Sequence, residues 1–295
     1  MLIGLPKEIK DNESRVGLTP ESVKKLISQG HEILVETDAG FGSGFSDGDY
    51  IHLGARIVKK PKEVFENAEL IIKVKEPQSA EVNLLKPDQL LFTYLHLAAN
   101  KNLTQGLMDS QSTCIAYETV TSSSNSLPLL APMSEVAGKI SIQAGARALE
   151  KTQHGRGVLM SGAYGAPPAD VVIIGCGVVG FNAALIAVGM KANVILIDKS
   201  EPRLSELYKY FEGNVTTVVS SKSEVEKYVS NCDLLIGGVL VPGSSAPKLV
   251  SEKLVSKMRK GSAIVDVAID QGGCIETSKP TTHSEPTYIL SLIHI

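Results

Sequence analysis

Apolar residues in this chain fall into short unbroken blocks, separated by longer stretches in which they recur every third or fourth position. The blocks Leu2-Ile3-Gly4-Leu5, Ile33-Leu34-Val35, Leu70-Ile71-Ile72-Lys73-Val74, Leu90-Leu91-Phe92-Thr93-Tyr94 and Thr113-Cys114-Ile115-Ala116-Tyr117 read as strands. Their continuity, rather than alternation, predicts strands buried on both faces, and the intervening helical periods predict a parallel sheet covered by helices. The first helix is well marked, with Thr19 as N-cap, Pro20 at the first helical position and Gly30 past its end. The polar run at 121–126 suggests a domain boundary, and the pattern over 134–151 a long helix tying two domains together.

The same rhythm resumes after a loop at 162–168. Asp170-Val171-Val172-Ile173-Ile174 predicts a strand, Gly175-Cys176-Gly177-Val178-Val179-Gly180 a turn, and residues 181–190 a helix. In that turn Gly175 permits the tight bend, Gly177 lets backbone approach a pyrophosphate, and Gly180 lets helix pack on strand. The phosphates would rest on the unpaired N–H groups of the helix N-terminus. A second strand, Asn193-Val194-Ile195-Leu196-Ile197, leads to Asp198, placed to meet ribose hydroxyls and to repel a 2′-phosphate. NAD is therefore expected over NADP, although Lys199 and Arg203 lie close by. Leu234-Leu235-Ile236, a helix over 249–258 and Ala263-Ile264-Val265-Asp266-Val267 complete a second sheet. The fold expected is α/β: two doubly wound parallel-sheet domains with a cleft between them, the second a Rossmann domain.

Composition narrows the partners more than the fold. With 43% hydrophobic and 21% charged residues the chain is ordinary globular material, and a formal charge of −3 without a basic cluster gives no reason to expect nucleic acid. The start of the chain lacks a secretory pattern, so a cytoplasmic location is expected. Four widely spaced cysteines and no histidine cluster at ligand spacing suit free thiols and no metal. Residues 171–190 carry no charge, but their glycines divide them into strand and helix, so no membrane association is expected.

Four polar residues stand out, each with an ordinary explanation. Arg15 precedes a helix and would serve as a surface arginine; Lys75 and Glu76-Pro77 would make an exposed turn; His96 lies in an apolar stretch suited to a core histidine; Asp270 would cap a turn. Three of the four follow predicted strand ends or open a helix. Arginine binds a carboxylate through two parallel bonds, lysine adds a point charge, and histidine titrates near neutrality, a set suited to a small carboxylate undergoing proton and hydride chemistry.

The chain resembles the alanine dehydrogenases from Met1 to about Thr287. The resemblance is carried by Gly4-Leu5-Pro6-Lys7-Glu8-Ile9-Lys10, Glu13-Ser14-Arg15-Val16-Gly17-Leu18-Thr19-Pro20, Lys73-Val74-Lys75-Glu76-Pro77, Thr93-Tyr94-Leu95-His96-Leu97-Ala98, Met133-Ser134-Glu135-Val136-Ala137-Gly138, and Val265-Asp266-Val267-Ala268-Ile269-Asp270-Gln271-Gly272-Gly273. It implies reversible conversion of L-alanine, NAD and water to pyruvate, ammonium and NADH, in a homo-oligomer, usually a hexamer. It further implies that Arg15 and Lys75 hold the substrate carboxylate and that His96 and Asp270 are the catalytic pair. Cofactor contacts carry over to Ser134, the 175–180 loop, Asp198, Arg203, Ser220, Val239, Leu240, Val267, Ala268, Ile269, Asp270 and Lys279, where the family more often has arginine.

Domains are expected at 1–130 for substrate and 131–287 for NAD, with 288–295 a tail outside the family pattern. On that reading the first domain lacks a return segment that would cover its apolar surface, and activity would be reduced. Two alternatives remain: the NAD-binding subunit of a proton-translocating transhydrogenase, which should lack His96, and a non-catalytic NAD-binding fragment.

Overall fold

A computed structural model describes residues 1–241, 244–282, 284–290 and 293–295. The chain divides into two compact units, Met1–Leu129 and Leu130–Ile295.

The first unit is a sheet of six parallel strands: β1 (Leu2–Leu5), β2 (Glu32–Glu36), β3 (Arg56–Val58), β4 (Leu70–Ile72), β5 (Leu90–Thr93) and β6 (Thr113–Ala116), in the order β3-β2-β1-β4-β5-β6. Five helices accompany it: α1 (Pro20–Ser28), α2 (Asp47–Ile51), α3 (Pro61–Asn67), α4 (Ser79–Val82) and α5 (Lys101–Ser110). As the sequence predicts, Thr19 caps α1 by accepting the Ser22 N–H, and Pro20 opens it. Two apolar clusters fill the two sides of the sheet. Ile3, Leu5, Val23, Ile33 and Val35 belong to one, and Val64, Phe65, Ile71, Leu91 and Leu95 to the other.

The second unit begins with α6 (Ala131–Ala148), which starts three residues before the expected Ser134 because Pro132 is accommodated in its first turn. Its sheet holds β7 (Asp170–Ile174), β8 (Asn193–Asp198), β9 (Thr216–Val219), β10 (Leu234–Gly237), β11 (Ala263–Asp266), β12 (Ile289–Leu290) and β13 (Ile293–His294), in the order β12-β13-β11-β10-β7-β8-β9. The first five are parallel; β13 joins β11 in parallel and β12 pairs with β13 in antiparallel fashion. Helices α7 (Val178–Gly189), α8 (Glu201–Tyr210), α9 (Lys222–Val229) and α10 (Glu252–Val255) complete the unit. Residues 171–190 do split into β7 and α7, and among the described residues no helix is long and apolar enough to cross a membrane.

The helix expected over 249–258 is a correction: only Glu252–Val255 is helical. Val250 instead bridges Ile275 in parallel and is fully buried, so its apolar side chain serves an extended segment.

β9-β8-β7-β10-β11 repeats the order β3-β2-β1-β4-β5 of the first unit. Each sheet therefore has a point, between β1 and β4 and between β7 and β10, where successive connections leave in opposite directions. Ligands of such sheets bind beyond the strand carboxyl ends at that point.

Candidate functional site

In the first unit the segments beyond the carboxyl ends of β1, β4 and β6 carry charged side chains that are themselves buried. Lys73 is wholly enclosed, and its ammonium lies 3.0 Å from Glu8 and 2.7 Å from Glu81. A buried lysine is tolerated only when so paired. Burial raises the Glu81 carboxyl, against the opposing charge and hydrogen bond of Lys73. The other Glu8 oxygen accepts the backbone N–H groups of Val74 (2.6 Å) and Lys75 (3.4 Å), while the Thr93 hydroxyl donates to the Lys75 carbonyl (3.0 Å). The backbone of Lys75 is thus held from two sides.

His96 follows β5 with φ +50°, in the left-handed region. The buried Glu118 carboxylate accepts the backbone N–H of Leu95 (3.1 Å) and of His96 (2.6 Å) and so holds that bend. The imidazole stacks on Tyr94, with centroids 5.9 Å apart and planes 7° from parallel, and the Tyr94 hydroxyl donates to the Leu129 carbonyl (2.5 Å). Its Nδ1 is buried without a hydrogen-bond partner. A buried polar atom left unengaged is costly for a core histidine and is expected of one that handles a proton.

Arg15 lies in the loop before α1. Its guanidinium donates to both oxygens of Glu13, from Nε at 2.8 Å and from Nη2 at 2.5 Å. These bonds raise the pKa of Arg15 against the opposing effect of burial. The charges of Arg15 and Lys75 both act on Glu13, and Tyr94 acts on Arg15, so the three cation-bearing and aromatic loops share one electrostatic neighbourhood.

In the second unit backbone takes the place of charge. Gly175 has φ +91°, and a Cβ there would meet the Gly238 carbonyl carbon at 2.8 Å. A Cβ on Gly180 would lie 1.9 Å from the Gly175 oxygen, whereas one on Gly177 meets nothing within 4 Å. The second glycine therefore faces open space and the other two close contacts. Gly177 is also the N-cap of α7, and no side chain caps that end. The first-turn N–H groups of Val178, Val179 and Gly180 have no partner within the helix, which makes the end an anion cradle. These features fit a dinucleotide pyrophosphate.

Asp198 ends β8 and accepts the N–H of Cys176 (2.7 Å) and of Ser200 (2.9 Å), so its carboxylate is fixed beside the loop. Arg203 donates from Nε to the Cys176 carbonyl (2.9 Å) and from Nη1 to Glu206 (2.8 Å). The Ser220 N–H donates to the Asp198 carbonyl (2.8 Å). Val239 stands against Gly175, where its Cγ2 would be 2.9 Å from an added Cβ, and the exposed Leu240 follows it. Ser134 is one turn before Gly138 on α6, and Gly138 lets α6 approach the Val179 carbonyl so closely that a Cβ would come within 2.3 Å of it.

Asp270 is exposed on a short 3-10 turn, Val267–Gln271, which also carries Val267, Ala268 and Ile269. The buried Asp266 carboxylate accepts the N–H groups of Cys274 (3.3 Å) and Ile275 (3.1 Å) and closes that turn. Lys279 is brought to Tyr288, its ammonium 4.6 Å from the ring centroid. Arg15, Lys75 and His96 thus belong to the first unit and Asp270 with the nucleotide residues to the second. Sequence reasoning gave no role to Glu8, Glu13, Lys73, Glu81, Glu118 or Asp266. The one available signal was Lys73, a charge inside an otherwise apolar strand that requires a buried partner.

Comparison with known proteins names the family. Residues 4–137 match the family described as alanine dehydrogenase/PNT, N-terminal domain, and residues 141–295 its C-terminal domain. An alanine dehydrogenase of Halomonas elongata is 54% identical over 290 residues, 98% of this chain and 78% of the relative. One of Mycobacterium tuberculosis is 51% identical over 288 residues, with the same coverages of 98% and 78%. A solved L-alanine dehydrogenase superposes with a TM-score of 0.89 at 53% identity, covering 100% of this chain and 81% of that one. A transhydrogenase from Sinorhizobium meliloti reaches 0.81 at 24% identity, covering 100% and 84%, a likeness of fold.

Proposed function

This chain belongs to the alanine dehydrogenase/PNT family, and from that premise we propose that it catalyses the reversible NAD-dependent oxidative deamination of L-alanine to pyruvate and ammonium. The observation that carries the reading is the set of Arg15, Lys75 and His96 in the first unit, each beyond a strand end or before a helix and each held by a buried carboxylate or a ring.

In the proposed reaction the Arg15 guanidinium and the Lys75 ammonium hold the substrate carboxylate, the first through paired hydrogen bonds and the second as a point charge. NAD, when bound, takes up the hydride that leaves the alanine Cα. Water adds to the resulting imine, and His96 moves the proton to and from the oxygen that becomes the pyruvate carbonyl. Asp270 orients water and ammonia and stabilises the cationic nitrogen. Val178, Val179 and Gly180 at the start of α7 would hold the cofactor, with Gly175 making the tight turn and Gly177 leaving the space, and with Ser134, Ser220, Val239, Leu240, Val267, Ala268, Ile269 and Lys279 as further contacts.

NAD is proposed over NADP because the Asp198 side chain is held in place by two N–H donors, and because the Arg203 charge is shared with Glu206 and the loop carbonyl. The proposal includes a homo-oligomer, six copies by family resemblance, working in the cytoplasm.

The test is to mix the purified chain with NAD and L-alanine and follow NADH, with NADH binding titrated in parallel. Turnover in the wild type, and a loss of about 10²- to 10⁴-fold in His96→Ala with NADH still bound, is expected. Binding without turnover in the wild type would instead establish a non-catalytic nucleotide-binding chain. A His96→Ala variant within a few-fold of wild type would remove His96 from the chemistry.

A further inference from the structure

Strand β4 ends unevenly. On the β5 side its ladder runs on past Ile72: the Lys73 N–H donates to the Phe92 carbonyl (3.1 Å) and the Tyr94 N–H to the Val74 carbonyl (3.3 Å). On the β1 side the register stops at Gly4 and Ile71. The N–H groups of Val74 and Lys75 go instead to a side chain, Oε1 of Glu8, at 2.6 and 3.4 Å. From β5 the Thr93 hydroxyl donates to the Lys75 carbonyl (3.0 Å). Side chains thus do for Val74 and Lys75 what a neighbouring strand does for Ile71.

Glu8 has two candidate purposes, to neutralise the enclosed Lys73 or to place Lys75. Its oxygens are divided between them, Oε2 on the Lys73 ammonium (3.0 Å) and Oε1 on the backbone. Glu81 separates the two purposes. It grips the same ammonium (2.7 Å), but its other oxygen accepts the Gln78 N–H (2.8 Å) at the start of α4. Neutralising Lys73 is therefore shared by both glutamates, whereas of the two only Glu8 bonds to Lys75. The Lys73, Glu8 and Glu81 side chains are almost wholly enclosed, so these bonds form where water competes little for them. The Lys75 ammonium, by contrast, takes part in no ion pair among the described residues. What fixes Lys75 is its backbone.

We propose that Glu8, with Thr93, is a positioning residue of the substrate site: braced by Lys73 and Glu81, it fixes the backbone from which the Lys75 ammonium reaches the carboxylate of alanine or pyruvate. The inference rests on the reading of Lys75 as a substrate-carboxylate residue. The gain is pre-organisation, since with the base of the lysine stem fixed only side-chain torsions remain to be ordered on binding.

The test compares wild type, Glu8→Gln, Thr93→Val, Glu81→Gln, Lys75→Ala, and Lys75→Ala combined with each of the first two. Pyruvate binding to the NADH complex without ammonium is measured by calorimetry, beside Tm, NADH affinity, and KM and kcat with ammonium present. Glutamine has one acceptor oxygen where Glu8 uses two, so Glu8→Gln is expected to weaken pyruvate about tenfold, the loss falling on KM rather than kcat at unchanged NADH affinity. Thr93→Val removes one neutral bond and is expected to weaken pyruvate about threefold. Glu81→Gln disturbs the same ammonium and is expected to lower Tm about as much as Glu8→Gln while leaving pyruvate affinity within about twofold of wild type. In the Lys75→Ala background neither Glu8→Gln nor Thr93→Val is expected to add anything. Equal losses of pyruvate affinity in Glu8→Gln and Glu81→Gln would reduce Glu8 to a structural partner of Lys73 and overturn the proposal, as would an undiminished effect in the Lys75→Ala background. If Glu8→Gln does not fold, Thr93→Val decides: wild-type pyruvate affinity in that variant overturns the proposal. If Lys75→Ala alone leaves pyruvate affinity unchanged, the failure lies in the role given to Lys75.

Discussion

The two units share a strand order and furnish the same point of it in opposite ways. Between β1 and β4 the chain places side-chain charge: Glu8 and Lys73 are buried and pinned, and Lys75 follows them. Between β7 and β10 it places almost no side chain at all: Gly175 lies against Gly238, Gly177 faces open space and α7 begins uncapped. The difference follows from ligand size and charge. A three-carbon acid offers one carboxylate and little surface, so recognition requires cations fixed in advance, and each fixed cation requires a buried anion behind it. A dinucleotide offers a long anionic spine, which backbone N–H groups can address if nothing stands in the way. The first unit solves a problem of desolvated charge and the second a problem of room.

The contrast can be broken by substitution, beginning with the glycines. Gly180→Ala forces a Cβ onto the Gly175 oxygen, 1.9 Å away, and is expected to abolish measurable NADH binding and to lower amide protection in β7. Gly177→Ala meets nothing within 4 Å and is expected to leave thermal stability alone while still weakening NADH. Wild-type NADH affinity in that variant would show that the open space is not cofactor space.

Next in size is Glu118→Ala, which leaves the buried N–H groups of Leu95 and His96 without their acceptor. The cost is about 1–3 kcal/mol for each unsatisfied group. With the His96 bend no longer held, kcat is expected to fall roughly 10- to 100-fold at unchanged NADH affinity, as for a displaced proton-transfer group. Glu118→Gln retains an acceptor oxygen, so stability and much of kcat should return; an equal loss in both variants would mean the charge matters rather than the bond.

The smallest effect is expected at Glu36, a buried carboxyl that accepts the Lys7 N–H (2.9 Å) and whose pKa burial raises. A carboxyl raised in the folded state binds its proton more tightly there than in the unfolded chain. Its ionisation therefore lowers stability as pH rises from the unfolded value through the folded one. Glu36→Gln keeps the acceptor and removes the charge. A gain of a few degrees in Tm at neutral pH, vanishing in acid, is expected in thermal unfolding scans of a domain this size.

The interior strands were legible because they are unbroken apolar runs, and the 175–180 loop because three glycines at that spacing have a steric meaning. The edge strands β3 and β9 were not, since edge strands are short and partly polar, as Arg56-Ile57-Val58 and Thr216-Thr217-Val218-Val219 are. Val250 was misread because burial alone does not distinguish a helix from an extended bridge. Within the site, Arg15, Lys75, His96 and Asp198 could be named by type and place. Glu13, two residues from Arg15, could be seen in its motif without revealing that its carboxylate is the enclosed partner.

By itself the sequence determined the α/β architecture, the nucleotide turn and the family, because each depends on local periodicity or on residues close in the chain. Only the tertiary structure decided which groups the buried carboxylates hold. Glu8 with the Lys73 ammonium, and Glu118 with the backbone N–H of His96, are pairs separated by many residues and brought together by sheet order. Whether a charge lies buried with a partner or exposed in water is set by what the rest of the chain packs around it.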